Sequence, residues 1–110
     1  MPDHAVKVIT DQSAVTMTAT VTGTGWTVER YSEAQVIVNV TAKSGSPTLD
    51  ITAQTSADGV TYVTHSTMTQ ITGTGVSLKL LTNIGKWLRL VYTFGGSTSI
   101  TLTSQIVLKT

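Results

Sequence analysis

The sequence predicts an all-β protein: a single antiparallel β-sandwich of seven to eight strands, with jelly-roll or related Greek-key topology. Three observations carry this. Apolar and polar residues alternate with period two through most of the chain, as in strands with one buried and one wetter face. Turn signals separate these runs at short intervals, as sandwiches and barrels require. No stretch carries the apolar stripe of an amphipathic helix.

Taken in order, residues 1–12 are weakly patterned and read as an N-terminal arm or an edge strand, with the sandwich domain spanning 13–110. Val15, Met17, Ala19 and Val21 then alternate with threonines up to the turn Gly23-Thr24-Gly25. Ala34, Val36, Val38, Val40 and Ala42 form the next apolar face, with Ile37 the exception on the polar side. After Ser44-Gly45-Ser46-Pro47, Leu49, Ile51 and Ala53 define a strand that the turn Ala57-Asp58-Gly59 returns as a hairpin over 60–66. Val76, Leu78 and Leu80 read as the core face of a following strand. Leu88, Leu90, Tyr92 and Phe94 share the next core face, opposite Trp87, Arg89, Val91 and Thr93. Gly95-Gly96 suggests a second hairpin, leading into Ile100, Leu102, Ile106 and Leu108. Thr-Gly-Thr-Gly occurs at 22–25 and 72–75, but the flanking residues differ, so the two read as similar strand exits and not as a duplication.

Composition narrows function. The chain has 110 residues, room for one domain with its own core. It has no cysteine, which excludes disulfides, thiolate metal sites and a cysteine nucleophile. Only 12% of residues are charged, against about 25% in ordinary soluble domains. The net charge of +1 gives no field for nucleic acid, and no nucleic-acid partner is expected. Threonine makes up roughly a fifth of the chain, and its β-branched side chain suits a pleated, half-exposed surface. With mean hydropathy +0.19, so sparsely charged a surface favours association. Met1–Lys7 lacks the layout of a signal peptide. No apolar run approaches the roughly 18 residues of a membrane-spanning helix, so no membrane partner is expected.

Residues with chemical potential do not assemble into a motif. His4 stands beside Asp3, but a metal site needs three or four converging ligands. His65 lies in Thr64-His65-Ser66-Thr67 without a nucleophile elbow. Glu29 and Glu33 could pair as glycosidase carboxylates, but they flank Arg30 and Tyr31 in a connecting segment, where charges are ordinary. No catalytic residue, metal site or cofactor is assigned. Trp26 is expected to pack on the core. Trp87 and Arg89 are of the types enriched at interface hot spots. With His4 and Val6 of the N-terminal segment, they are the candidate interface residues.

The pieces Ser44-Gly45-Ser46-Pro47-Thr48-Leu49-Asp50, Gln54-Thr55-Ser56-Ala57-Asp58-Gly59 and Gly85-Lys86-Trp87-Leu88-Arg89 resemble, in their order, small β-sandwich structural proteins of tailed bacteriophages. The matching pieces are framework: turns, strand starts and a strand-borne arginine. The resemblance implies a non-catalytic virion protein made in the host bacterial cytoplasm. It would be a capsid decoration (cement) protein or a head–tail or tail accessory protein. Its partners would be the major capsid protein or other virion proteins, and it would form a homo-oligomer, a trimer at a local threefold. Gln54–Gly59 followed by Tyr62 also resembles a hairpin of discoidin-like sandwiches, which implies a carbohydrate-binding module as the alternative.

Overall fold

The computed structural model describes residues 6–96 and 98–110. His4 lies outside the described residues. The chain forms two antiparallel sheets packed face to face. Its strands are β1 (Val6–Met17), β2 (Val21–Thr22), β3 (Trp26–Thr27), β4 (Glu33–Ser44), β5 (Pro47–Ser56), β6 (Tyr62–Thr67), β7 (Gly75–Thr82), β8 (Trp87–Gly96) and β9 (Ser99–Lys109). Sheet I has the order β1-β9-β4-β7, and sheet II the order β2-β8-β5-β6, with β3 also on β8. β2 and β3 lie along one edge of β8, Val21 opposite Tyr92 and Trp26 opposite Leu88. They are one strand interrupted at Gly23-Thr24-Gly25, whose Gly23 amide still donates to the Leu90 carbonyl at 2.7 Å. Counted so, the fold is an eight-stranded jelly roll.

The core lies between the sheets and follows the alternation. Ala34, Val36, Val38 and Val40 of β4 face Leu49, Ile51 and Ala53 of β5 and Leu88, Leu90 and Tyr92 of β8; all are buried. Ile100, Leu102, Ile106 and Leu108 complete it from β9. Each buried valine, leucine or isoleucine among them contributes about 1.5–3 kcal/mol by leaving water. The Asp58-Gly59 hairpin forms as expected, pairing β5 with β6. Met68 and Ile71 extend the β5 edge through bonds to Ile51 and Leu49 before the chain crosses to β7.

Four details depart from the sequence reading, each for a local reason. β8 and β9 are not a hairpin: β8 pairs with β5, and β9 with β1 and β4. Both strands carry a full apolar face, and the connection after Gly96 lets those faces meet across the core instead of lying side by side. Ala42 is exposed, because a register shift between Val40 and Ala42 turns the strand over. Ala19 is also exposed, because sheet I ends at Met17 and the chain bends toward sheet II before Val21. On β7 the faces are inverted. Leu81 is buried opposite Ala34, which directs Ser77 and Lys79 inward and Val76, Leu78 and Leu80 to the outside.

Candidate interaction surface

A polar link joins the sheets. At a register shift of β1, between Thr10 and Gln12, Asp11 reaches sheet II. Its Oδ1 accepts from Trp26 Nε1 at 2.8 Å, and its Oδ2 accepts from the Tyr92 hydroxyl at 2.5 Å. The Tyr92 oxygen in turn lies 2.6 Å from Ser104 Oγ, so Ser104 donates to it. Burial, then the Asp11 charge, pushes the Tyr92 hydroxyl far above its ordinary pKa, and it remains a donor. Nothing in the sequence signals this role for Asp11, because alternation does not reveal a bulge. At the opposite side of the sandwich, His65 Nε2 donates to the Thr82 carbonyl at 2.6 Å, with Nδ1 2.6 Å from the Ser66 hydroxyl. That bond ties β6 to the end of β7.

The outer face of sheet II holds Trp87 and Arg89. Arg89 stacks on the Tyr62 ring at 3.9 Å from its centroid and donates from Nε to Gln54 Oε1 at 2.8 Å. Tyr62 extends across the face until its hydroxyl meets Gly25. Trp87 is half-buried, and Gly59 lies flat against its indole. Gly59 has φ 79°, a conformation that costs a side-chain-bearing residue about 1 kcal/mol; a Cβ there would stand 2.9 Å from the ring. Asp58 holds the same turn, accepting from the Val60 and Thr61 amides at 2.9 Å and from Ser56 Oγ at 3.0 Å. Its pKa is lowered, chiefly by the Thr61 and Val60 amides. A shallow groove of about 650 Å³ runs beside this turn, lined among others by Thr55, Thr61, Val63 and Lys86.

The outer face of sheet I is different. In register across all four strands lie Val8, Val107, Gln35 and Leu80. The next row is Thr10, Gln105, Ile37 and Leu78, followed by Thr103, Asn39 and Val76. Val6, Val8, Val76, Leu78 and Leu80 are exposed by 59, 55, 69, 57 and 61% respectively. Most outward faces of antiparallel sheets are polar; this one has an apolar diagonal. Val6 sits at its corner, opposite Lys109.

Chemically active groups do not converge. Glu29 pairs with Lys86 at 3.5 Å, while Glu33 opens β4 on the outer face of sheet I. Among the described residues, no three histidine or carboxylate side chains are grouped to hold a metal ion. Trp26 and Tyr31 pack against the core. With Trp87 under Gly59 and Tyr62 under Arg89, the larger aromatic rings are engaged within the chain.

The molecule is thus a jelly-roll sandwich with one internally covered outer face and one bare apolar face. A chain in the structure of infectious bursal disease virus Gx strain has this fold, with TM-score 0.68 and 11% identity. The match covers 98% of the present chain, which spans 32% of the viral one. SPBc2 prophage-derived protein YomS matches with TM-score 0.66 and 9% identity, over 100% of this chain and 97% of that one. No family model and no curated protein sequence matches the chain. At these identities the similarity to both is one of fold.

Proposed function

We propose that this chain is a non-catalytic structural protein of a bacteriophage virion, and within the particle a capsid decoration protein that binds the outer shell and bridges neighbouring subunits. The observation that carries the reading is the end-to-end match of its fold to a prophage-derived protein. The match to a chain in a virus structure, the low charge and the exposed apolar face on a rigid sandwich support it. Shell proteins gain from repeated weak contacts on a symmetric lattice, and these need surface, not chemistry. The major capsid protein would be its partner and the virion its location, after synthesis in the host bacterial cytoplasm.

The test is mass spectrometry of purified particles from a host carrying the gene, beside particles in which the gene is deleted. The chain is expected in wild-type particles at a fixed ratio to the major capsid protein. Deleted particles should release their DNA at lower temperature or under chelation. Absence of the chain from particles would overturn the proposal. Presence in isolated tails but not in heads would leave a virion protein of the tail or head–tail type and remove the decoration role.

A further inference from the structure

We infer that the outer face of sheet I is a self-association surface, on which a second copy of this chain packs about a twofold axis. The inference rests on the composition and edges of this sheet and is independent of the virion proposal.

Size comes first. The exposures of the five outward valines and leucines amount to roughly 500 Å², near the upper end of the largest apolar patch on ordinary monomers, about 300–600 Å². Two such patches face to face remove about 1,000 Å² from water, the threshold for a specific interface. The polar residues on the same face, Thr10, Gln35, Gln105, Asn39 and Thr103, add to that.

The strand edges favour the face. β7 is eight residues long and would be an open template, but Lys79 points inward at its centre, a placement that opposes edge pairing. β1 carries two register shifts and Ala14 at φ 48°, which bend that edge away. β6 is six residues long, with a register shift against β5. Growth by strand addition is therefore blunted on both sheets, while the apolar face is left uncovered.

Charge selects the occupant. In the rows described, the outward charges are Glu33 and Lys109, directly opposite each other across β4 and β9 at one end of the face. The two middle rows, Val8 to Leu80 and Thr10 to Leu78, hold valine, isoleucine and leucine with Gln35 and Gln105 between them and carry no charge. An acidic or basic partner would gain nothing from them. A copy related by a twofold axis that runs across the strands lays its charged end over Thr103, Asn39 and Val76, so no like charges meet. Such a pairing is isologous and closes at two copies, with sheets about 10 Å apart. It is a twofold where the family resemblance would give a threefold.

The experiment is sedimentation velocity of the full chain over a concentration series, with Leu78→Glu and Val76→Glu as variants and melting temperature recorded for each. Wild type is expected to be a dimer at micromolar concentration. Both side chains are already exposed, so each variant should melt close to wild type. The dissociation constant should rise on the order of 100-fold for Leu78→Glu, as when a central interface residue is replaced by a desolvated charge, and on the order of 10-fold for Val76→Glu nearer the end of the face. The chain has no cysteine, so Ile37→Cys places a single thiol near the axis. A short bis-maleimide should join two copies through it, and should not do so through Val60→Cys in the distant turn. A monomer at about 100 μM, a trimer, or a dimer that both glutamates leave intact would overturn the inference. So would a monomeric wild type whose glutamate variants fail to bind particles, which would assign the face to the shell. If one variant does not fold, the other and the cross-link still decide.

Discussion

Replacing Asp11 by alanine tests how the sheets are held together. Asp11 accepts two charge-assisted bonds, from Trp26 Nε1 and the Tyr92 hydroxyl, and such bonds contribute about 1.5–3 kcal/mol each. The loss is not simply their sum. Tyr92 keeps Ser104 within 2.6 Å, and Trp26 is only half-buried, so water can serve its ring nitrogen. We expect Asp11→Ala to cost about 3 kcal/mol, a large share of the 5–15 kcal/mol typical of a domain, and to lower Tm by on the order of 10–20 °C. Asp11→Asn separates charge from connectivity. The indole can only donate, so the amide oxygen must take Trp26. The amide nitrogen then donates to the Tyr92 oxygen while the Tyr92 proton turns to Ser104. Both of the bonds at residue 11 are kept, while the buried Ser104 proton that wild type gives to Tyr92 loses its acceptor, and the cost should fall to about 1–2 kcal/mol. Urea unfolding followed by tryptophan fluorescence reads all three proteins, and a cycle with Tyr92→Phe should show coupling of about 1 kcal/mol. An alanine variant within about 0.5 kcal/mol of wild type, or indistinguishable from the asparagine variant, would refute the reasoning.

Further outcomes follow from the turns and edges. Gly59→Ala should destabilise by about 1–3 kcal/mol and change Trp87 fluorescence, because both φ and the ring oppose a Cβ; Gly73→Ala, with nothing within 4 Å, should be neutral within about 0.5 kcal/mol in the same melts. Asp58 has a lowered folded-state pKa, so its contribution is present above the ordinary carboxylate value and is lost as pH falls through the folded one. The gap in stability between wild type and Asp58→Asn should therefore be widest near neutral pH and close in acid, as urea midpoints across a pH series would show. Arg89→Lys should lose most of what Arg89→Ala loses, about 0.5–2 kcal/mol by thermal melts, because the ammonium cannot reproduce stacking on Tyr62 together with the Gln54 bond. Lys79→Val should hold or raise Tm while promoting aggregation in light scattering, because it removes the inward charge from the β7 edge.

The fold class was legible because six runs of alternating residues each have one continuous apolar face. What alternation does not encode is how the strands are joined and which phase of a two-sided strand is inward. β7 shows this best. Val76, Leu78 and Leu80 make a better apolar series than Ser77, Lys79 and Leu81, yet the pairing of Leu81 with buried Ala34 puts the weaker series inside. The β8–β9 connection is a similar case. Two glycines allow a tight reversal, but each strand needs its apolar face covered, and crossing the core covers both. Asp11 was hidden for a third reason, since its position depends on a bulge that the residues around it do not announce. Of the candidate residues, Val6 stands on the bare face and Trp87 and Arg89 on the other, where their bonds and stacking are made within the chain.

A surface with few charges can still be wetted, and the two outer faces differ in how that is done. On sheet II, hydroxyls and amides do it: Thr52 faces Thr67 at 3.5 Å, and Gln70 holds the Asp50 carboxylate at 3.2 Å. On sheet I the same chemistry lies on the β1–β9 side, where Thr16 meets Thr101 at 2.9 Å, Thr103 accepts the Ala14 amide at 3.0 Å and Gln105 Nε2 donates to Thr10 Oγ1 at 3.3 Å. The β7 edge presents Val76, Leu78 and Leu80 to the outside instead. The shortage of charge is thus spread over the whole molecule, whereas the shortage of polar groups is confined to one patch. Association driven by general insolubility would respond equally to new charges on either sheet. Association through a defined face would respond to a charge at Leu78 and not to one at Thr48 or Thr93, which lie on the outer face of sheet II. Sedimentation of Thr93→Glu beside Leu78→Glu distinguishes these: equal loss of association would show that the bare face has no special part in it.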